Sequence, residues 1–237
     1  MTSSSDDLFF TRTGLERERV AALVGETLKD ADDGELFMEF RQSEALGFDD
    51  GRLKTASFDT HQGFGLRCVA GESTGYAHAS DLSEAALRRA SEAVQAVTSG
   101  HSGVAAEGPG RTNLHLYTDE NPLGQQSFEE KVKLLAEIDA YARARDARVQ
   151  QVSASLAGEW QAVEIVRADG TSLKDIRPLV RLNVAIVAGE GGRQETGSYG
   201  VGGRMGYEVF IDPMKWQAQV DEALRQALVN LEAVPAP

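Results

Sequence analysis

The sequence predicts an α+β protein in which helices flank largely antiparallel sheets. Three observations carry that prediction. Four stretches repeat apolar residues at helical spacing, and most open on a helix-start signal. The stretches between them alternate with the two-residue period of strands and turn at Asp-Gly pairs. The order then reads helix, hairpins, helix, twice over, and hairpins rather than strand–helix units call for antiparallel pairing.

The first helix is announced by Thr13 and Glu16, spaced as a capping box ahead of Val20, Leu23, Val24 and Leu28. Residues 35–41 and 45–48 read as strands leading into Asp50-Gly51, and residues 52–58 return. A further strand over 63–70 alternates Phe64, Leu66, Cys68 and Ala70 against Arg67. Asp81 and Glu84 have capping-box spacing ahead of Leu87, Ala90, Val94 and Val97. Residues 99–126, rich in Gly, Ser, Asn and Pro, form the best hinge, dividing a domain over 1–98 from one over 127–237. Ser127 and Glu130 open the third helix, with Phe128, Val132, Leu135, Ile138 and Ala142 as its stripe. Strands follow over 149–156, 161–168, 171–176 and 179–188, with Asp169-Gly170 as a hairpin turn. Residues 197–206 are glycine-rich, and 207–211 read as a last short strand. Asp212-Pro213 starts the fourth helix, an N-cap with proline at the first helical position, ahead of Trp216, Val220, Leu224, Leu228 and Leu231.

Composition narrows the function. With 41% hydrophobic and 26% charged residues in 237, the chain is an ordinary globular one. Its 37 acidic and 24 basic side chains give a net charge of −13, and no Lys/Arg cluster interrupts the acidity. Phosphate backbones are repelled by such a surface, so direct nucleic-acid binding is not expected, nor is an anionic membrane. A single cysteine, Cys68, fits a reducing compartment. The N-terminus has neither a basic start nor an apolar run, and no stretch approaches the roughly 20 apolar residues of a membrane span. A cytoplasmic location follows as the expectation.

The motifs that suggest chemistry read better as structure. Gly71-Glu72-Ser73-Thr74-Gly75 matches a nucleophile elbow, but that elbow needs a helix at once, and here a strand follows. The run from Gly197 to Gly206 lacks the Gly-Lys-Ser/Thr ending of a phosphate loop, and Met205 breaks the dinucleotide fingerprint. His61, His78, His101 and His115 are scattered, with none at helical spacing from another. Asp32-Asp33-Gly34 and Asp49-Asp50-Gly51 resemble calcium-loop fragments without the spaced carboxylates that would complete them. No catalytic or metal-binding constellation emerges.

Two regions, read as strings, resemble the TldD/PmbA family, also described as modulators of DNA gyrase. The first runs Gln62-Gly63-Phe64-Gly65-Leu66-Arg67, then Gly71 to Ala77, ending at Asp81-Leu82-Ser83. The second is Asp169-Gly170-Thr171, Arg177-Pro178-Leu179-Val180-Arg181, and Gly202-Gly203-Arg204-Met205-Gly206-Tyr207-Glu208, with Ala227 to Leu231 at the tail. The Arg177 and Gly202 strings look closer to the TldD type than to its partner type, TldE or PmbA. The resemblance implies a cytoplasmic zinc metallopeptidase acting on unfolded or flexible peptides, paired with a TldE/PmbA-like subunit or with itself. It also implies a helical His-Glu-x-x-x-His metal motif and a later cysteine, with the Glu as general base on metal-bound water.

No histidine follows His115, so none of those ligands can be placed on this sequence. The expectation is therefore a substrate-enclosing, dimer-forming N-terminal half, truncated before the metal motif. Zinc would belong to the full-length protein, with no cofactor in this chain and no catalysis alone. The alternative is a stand-alone peptide-binding or assembly module. Gly202, Gly203 and Arg204 are the candidate peptide-facing or chamber-lining residues.

Overall fold

The computed structural model describes residues 7–98, 100, 102–103 and 116–234. Six strands form one antiparallel sheet, flanked by helices, in the order β3-β2-β1-β4-β5-β6. In chain order the elements are α1 (Arg17–Leu28), β1 (Asp33–Asp49), β2 (Arg52–Ala70), β3 (Ser73–Ala79) and α2 (Glu84–Gln95). Then come α3 (Phe128–Arg145), β4 (Val149–Arg167), β5 (Ser172–Glu190), β6 (Arg193–Gly203), α4 (Glu208–Ile211) and α5 (Pro213–Glu232). The α+β class with antiparallel sheet and flanking helices is the one expected.

Several expected strands prove to be halves of longer ones. The strands over 35–41 and 45–48 are both β1, and those over 149–156 and 161–168 are both within or beside β4. The reason is phase. Leu36, Met38, Phe40, Leu46 and Phe48 are all buried even-numbered positions, so polar Gln42 and Glu44 interrupt the apolar pattern without interrupting the strand. In β4 the buried series Val152, Ala154, Leu156, Trp160 and Ala162 likewise keeps one parity.

Two helix starts differ from expectation. Thr13 does not cap α1: its hydroxyl donates to Phe9 O at 2.6 Å, Gly14 turns the chain at φ 72, and Glu16 precedes the helix without a side-chain cap. The cap of α2 is Ser83, which accepts from Ala86 N and itself donates to Asp81. The Ser127–Glu130 capping box and the Asp212-Pro213 start are both present. Residues 207–211 are not a strand. Tyr207 and Phe210 are both fully buried, and side chains three apart reach one surface only in a helix, so the segment turns as α4.

By its contacts the chain forms two compact units. The first comprises residues 1–42, 60–116 and 161–176. Its core is Val20, Val24 and Leu28 of α1, Leu87 and Val94 of α2, and Leu36, Met38, Leu66 and Cys68 of the sheet. The hydroxyls of Thr27 and Ser91 bond at 2.6 Å between the two helices. Here the Gly71–Gly75 motif is the turn between β2 and β3, with Gly71 at φ 59 and Ser73 opening β3. Glu164, fully buried, is held by Arg17 and by the hydroxyl of Ser172 at 2.6 Å.

The second unit comprises residues 43–59, 117–160 and 177–237. Here α3 and α5 pack against one another, α5 packs on β6, and Tyr141 meets Trp216 edge-to-face at 5.5 Å. The buried strand face carries Val152, Ala154 and Leu156 from β4 and Val180, Leu182, Val184 and Ile186 from β5. The odd-numbered positions between them are left half-buried or exposed.

Candidate functional site

The glycine-rich run is strand β6, at the end of the sheet order. It pairs with β5 alone, with Arg193 opposite Glu190 at one end and Gly203 opposite Val180 at the other. The candidates Gly202 and Gly203 therefore close an edge strand. Arg204 lies just beyond it, with its guanidinium 5.2 Å over the ring of Tyr117. Their being consecutive keeps them together, and the residue opposite Gly202 on β5 is Arg181.

Each face of β6 has its own surroundings. On the helix side, a side chain at Gly197 would overlap Ala223 O and Ala227 N of α5, so only glycine lets the strand lie this close to the helix. Farther along the same face, Tyr199 and Val201 stand exposed beside α5 and border an open groove of about 590 Å³. Met205, Phe210, Ala218 and Gln219 complete its apolar wall, with Lys215 and Glu222 at the rim. Arg225 and Gln226 hydrogen-bond to Glu222 and hold its carboxyl down at about 2.

The opposite face of the sheet in this unit is polar and built from small side chains. A shallow hollow of about 480 Å³ is lined by Gly47, Ser153, Ser155, Asn183, Ser198 and Gly200, among others. Its polar groups bond to one another: Arg181 Nε donates to Asn183 Oδ1 at 2.7 Å, and Ser153 donates to Asp49 at 2.6 Å. The bonds from Ser153 and Gln151 hold the Asp49 carboxyl below the ordinary aspartate range. Among the described residues this hollow holds no nucleophile–base pair.

The end of the glycine-rich run anchors itself rather than reacting. A Cβ at Gly206 would overlap the side chains of Glu208 and Gln125, so the chain is drawn tight there. Tyr207 then buries its ring below the ammonium of Lys131, 4.8 Å from the centroid. That lysine is only 4% exposed; it donates to Glu44 at 2.5 Å and to Leu123 O at 2.7 Å. Burial, with the nearby charge of Glu44, pushes the Tyr207 phenol well above its ordinary value. The buried lysine was not legible beforehand, because Lys131 lies within the polar start of a helix and its acidic partner is far away in sequence.

Among the described residues no group of three or more His, Cys, Asp or Glu could hold a metal ion. His61 and His78 are described, whereas His101 and His115 lie outside the described residues. A zinc site of the kind the resemblance implies therefore does not fit the residues described.

Residues 34–97 match the family model for PmbA/TldA metallopeptidase domain 1, and residues 121–231 match that for the PmbA/TldA metallopeptidase central domain. The chain belongs to the PmbA/TldD metallopeptidase family. It is similar to the metalloprotease TldD homolog of Haemophilus influenzae, 39% identical over 217 residues, covering 88% of this chain and 45% of that protein. A TldD homolog from Buchnera aphidicola (subspecies Schizaphis graminum) is 32% identical over 213 residues, covering 87% and 44%. The chain thus spans about half the length of these relatives. The fold is also that of TldE from Thermococcus kodakarensis, with a TM-score of 0.75 at 15% identity over 92% of this chain and 48% of that one.

Within the PmbA/TldD frame, Gly202, Gly203, Arg204 and the groove beside β6 fall in the central-domain match, whereas the polar hollow draws Gly47 and Asp49 from the domain 1 match and Ser153, Asn183 and Gly200 from the central one. The Gly71–Gly75 hairpin falls in the domain 1 match. No helix among the described residues is long and apolar enough to cross a membrane.

Proposed function

We propose that this chain is the substrate-enclosing and dimer-forming N-terminal half of a TldD-like zinc metallopeptidase, one that degrades or processes unfolded and flexible peptides. The observation that carries the reading is the pair of matches to the first and central domains of a metallopeptidase, on a chain about half as long as its relatives. The small-residue hollow of the second unit is suited to line a chamber through which an extended peptide passes, and Gly202, Gly203 and Arg204 would continue that lining along the chain from Gly200. In this reading zinc and the catalytic groups belong to the remainder of the family protein, so the chain is silent by itself. The domains would be residues 1–98 and 127–237 about the segment 99–126. Its partner would be a TldE/PmbA-like subunit or a second copy, in the cytoplasm, without direct contact with nucleic acid or membrane.

The test is to measure zinc content and turnover of an unstructured fluorogenic peptide on the purified chain. Sub-stoichiometric zinc and no turnover are expected. A full equivalent of zinc, or measurable cleavage, would refute the silent-half assignment.

A second reading is a stand-alone module that captures extended peptides by strand addition. It is favoured by one observation: β6 ends the sheet, with its outer side unpaired by any other strand of the described chain. Peptide binding in the absence of cleavage would support it.

A further inference from the structure

The groove between β6 and α5 combines four features that bear on what it could hold. Its floor borders a strand edge whose outer side pairs with no other strand among the described residues. Its wall is apolar and partly exposed: Tyr199 is 41% accessible, Val201 36%, and Phe210 and Met205 lie behind them. Gln219 lines the same wall, is 95% buried, and leaves its Oε1 without a hydrogen-bond partner, a costly arrangement unless a donor arrives. Lys215, at the rim, is exposed and makes no ion pair among the described residues, whereas the carboxylate of Glu222 is already taken by Arg225 at 2.7 Å. The rim therefore offers a solvent-exposed ammonium.

We propose that this groove is a docking site for an extended peptide segment that adds to the free edge of β6, seats one large apolar side chain between β6 and α5, and presents a carboxylate to Lys215. The occupant's chemistry follows from the walls. Strand addition requires an extended backbone, whose N–H and C=O groups pair with the edge of β6 in the plane of the sheet. Alternate side chains of a strand share a face, so an acidic residue two positions from the apolar one reaches the same rim. A chain of net charge −13 would otherwise repel acidic peptides, which makes Lys215 the residue that permits this one locally. The proposal deepens the peptide-capture reading above and rests on it, by naming where the peptide lies and what it carries.

The experiment titrates the 237-residue chain with a fluorescein-labelled Thr-Glu-Thr-Leu-Thr-Glu-Thr peptide, followed by anisotropy, alongside a counterpart with Ser in place of Leu. Two variants are compared with the unmodified chain. Ala218→Arg fills the groove from an exposed helix position, where arginine is a good helix former, so an unchanged melting temperature is expected. Lys215→Glu reverses the rim charge. The Leu peptide is expected to bind the unmodified chain, with a loss of roughly tenfold or more for the Ser peptide and for Ala218→Arg. Lys215→Glu should lose several-fold at low salt and less at high salt.

Equal binding by Ala218→Arg overturns the groove assignment while leaving peptide capture standing. Absence of peptide binding to the unmodified chain overturns both. Dimerisation in sedimentation that Ala218→Arg abolishes would assign the groove to a second copy, which also overturns the proposal.

Discussion

Replacing Gly197 by alanine tests whether the close seating of β6 on α5 organises the second unit. The added methyl would sit inside 3.0 Å of two backbone atoms, Ala223 O and Ala227 N, and 2.8 Å from Gln226 Cβ. Neither backbone atom can rotate away, so strand and helix must separate, by roughly 1 Å, to reach ordinary contact distance. Overpacking of this kind costs about 2–3 kcal/mol, the upper part of the usual range for small-to-large changes. For a chain of this length the melting temperature should fall by roughly 4–12 °C. Tryptophan fluorescence during urea unfolding is the appropriate assay, because Trp160 and Trp216, the only two tryptophans, are both buried in the second unit. Gly124→Ala is the control: nothing lies within 4 Å of its Cβ position, and a change within about 0.5 kcal/mol is expected. If the two variants unfold at the same urea concentration, the strand is not held against the helix by the absence of a side chain, and the reasoning fails.

Three further outcomes are expected. Arg17→Met should destabilise the first unit by about 3–5 kcal/mol, because it strands the fully buried carboxylate of Glu164, whereas the double variant with Glu164→Met should recover most of that loss in thermal melts. Lys131→Met should cost a similar, roughly 3–5 kcal/mol amount by leaving Glu44 without its buried partner, and its loss should be smaller when Glu44→Gln is added. Hydrogen bonding from Arg67 holds the Asp33 carboxyl below its ordinary value, so the stability it contributes is fully present above about pH 4 and is lost as pH falls through the folded-state value. Asp33→Asn should therefore lower the melting temperature at pH 7 and have progressively less effect as pH is taken below about 4.

The helices were the legible part of the fold, since their apolar stripes and two of their start signals lie within one turn of sequence. Ser127 with Glu130, and Asp212 with Pro213, needed no tertiary information. Strand length was not legible in the same way. A polar stretch such as Arg41–Gln42–Ser43–Glu44 looks like a break until the parity of Phe40 and Leu46 is seen to match across it. Residues 207–211 read as a strand because five residues cannot separate a period of two from a helical turn, and only the burial of Tyr207 and Phe210 decides. The groove beside β6 was invisible for a further reason: Tyr199 and Val201 come from a strand, Lys215 and Gln219 from a helix, and no local pattern announces that Gly197 brings the two together.

The strings that resemble the family lie largely where backbone geometry is demanding. Gly71 turns a hairpin at positive φ, Gly206 is drawn against Glu208 and Gln125, and Tyr207 is sealed beneath Lys131. A sequence match at such positions certifies a fold, because few other residues satisfy the local constraint, but it is silent about chemistry. Chemistry has to be argued from surfaces where substitution is sterically free, and in the second unit these are the Ser/Asn-lined hollow and the rim around Lys215. Arg204 shows the distinction within a single string: its neighbours are constrained by packing, whereas its side chain is exposed and stacks its guanidinium 5.2 Å over the ring of Tyr117, a contact that fixes no backbone conformation.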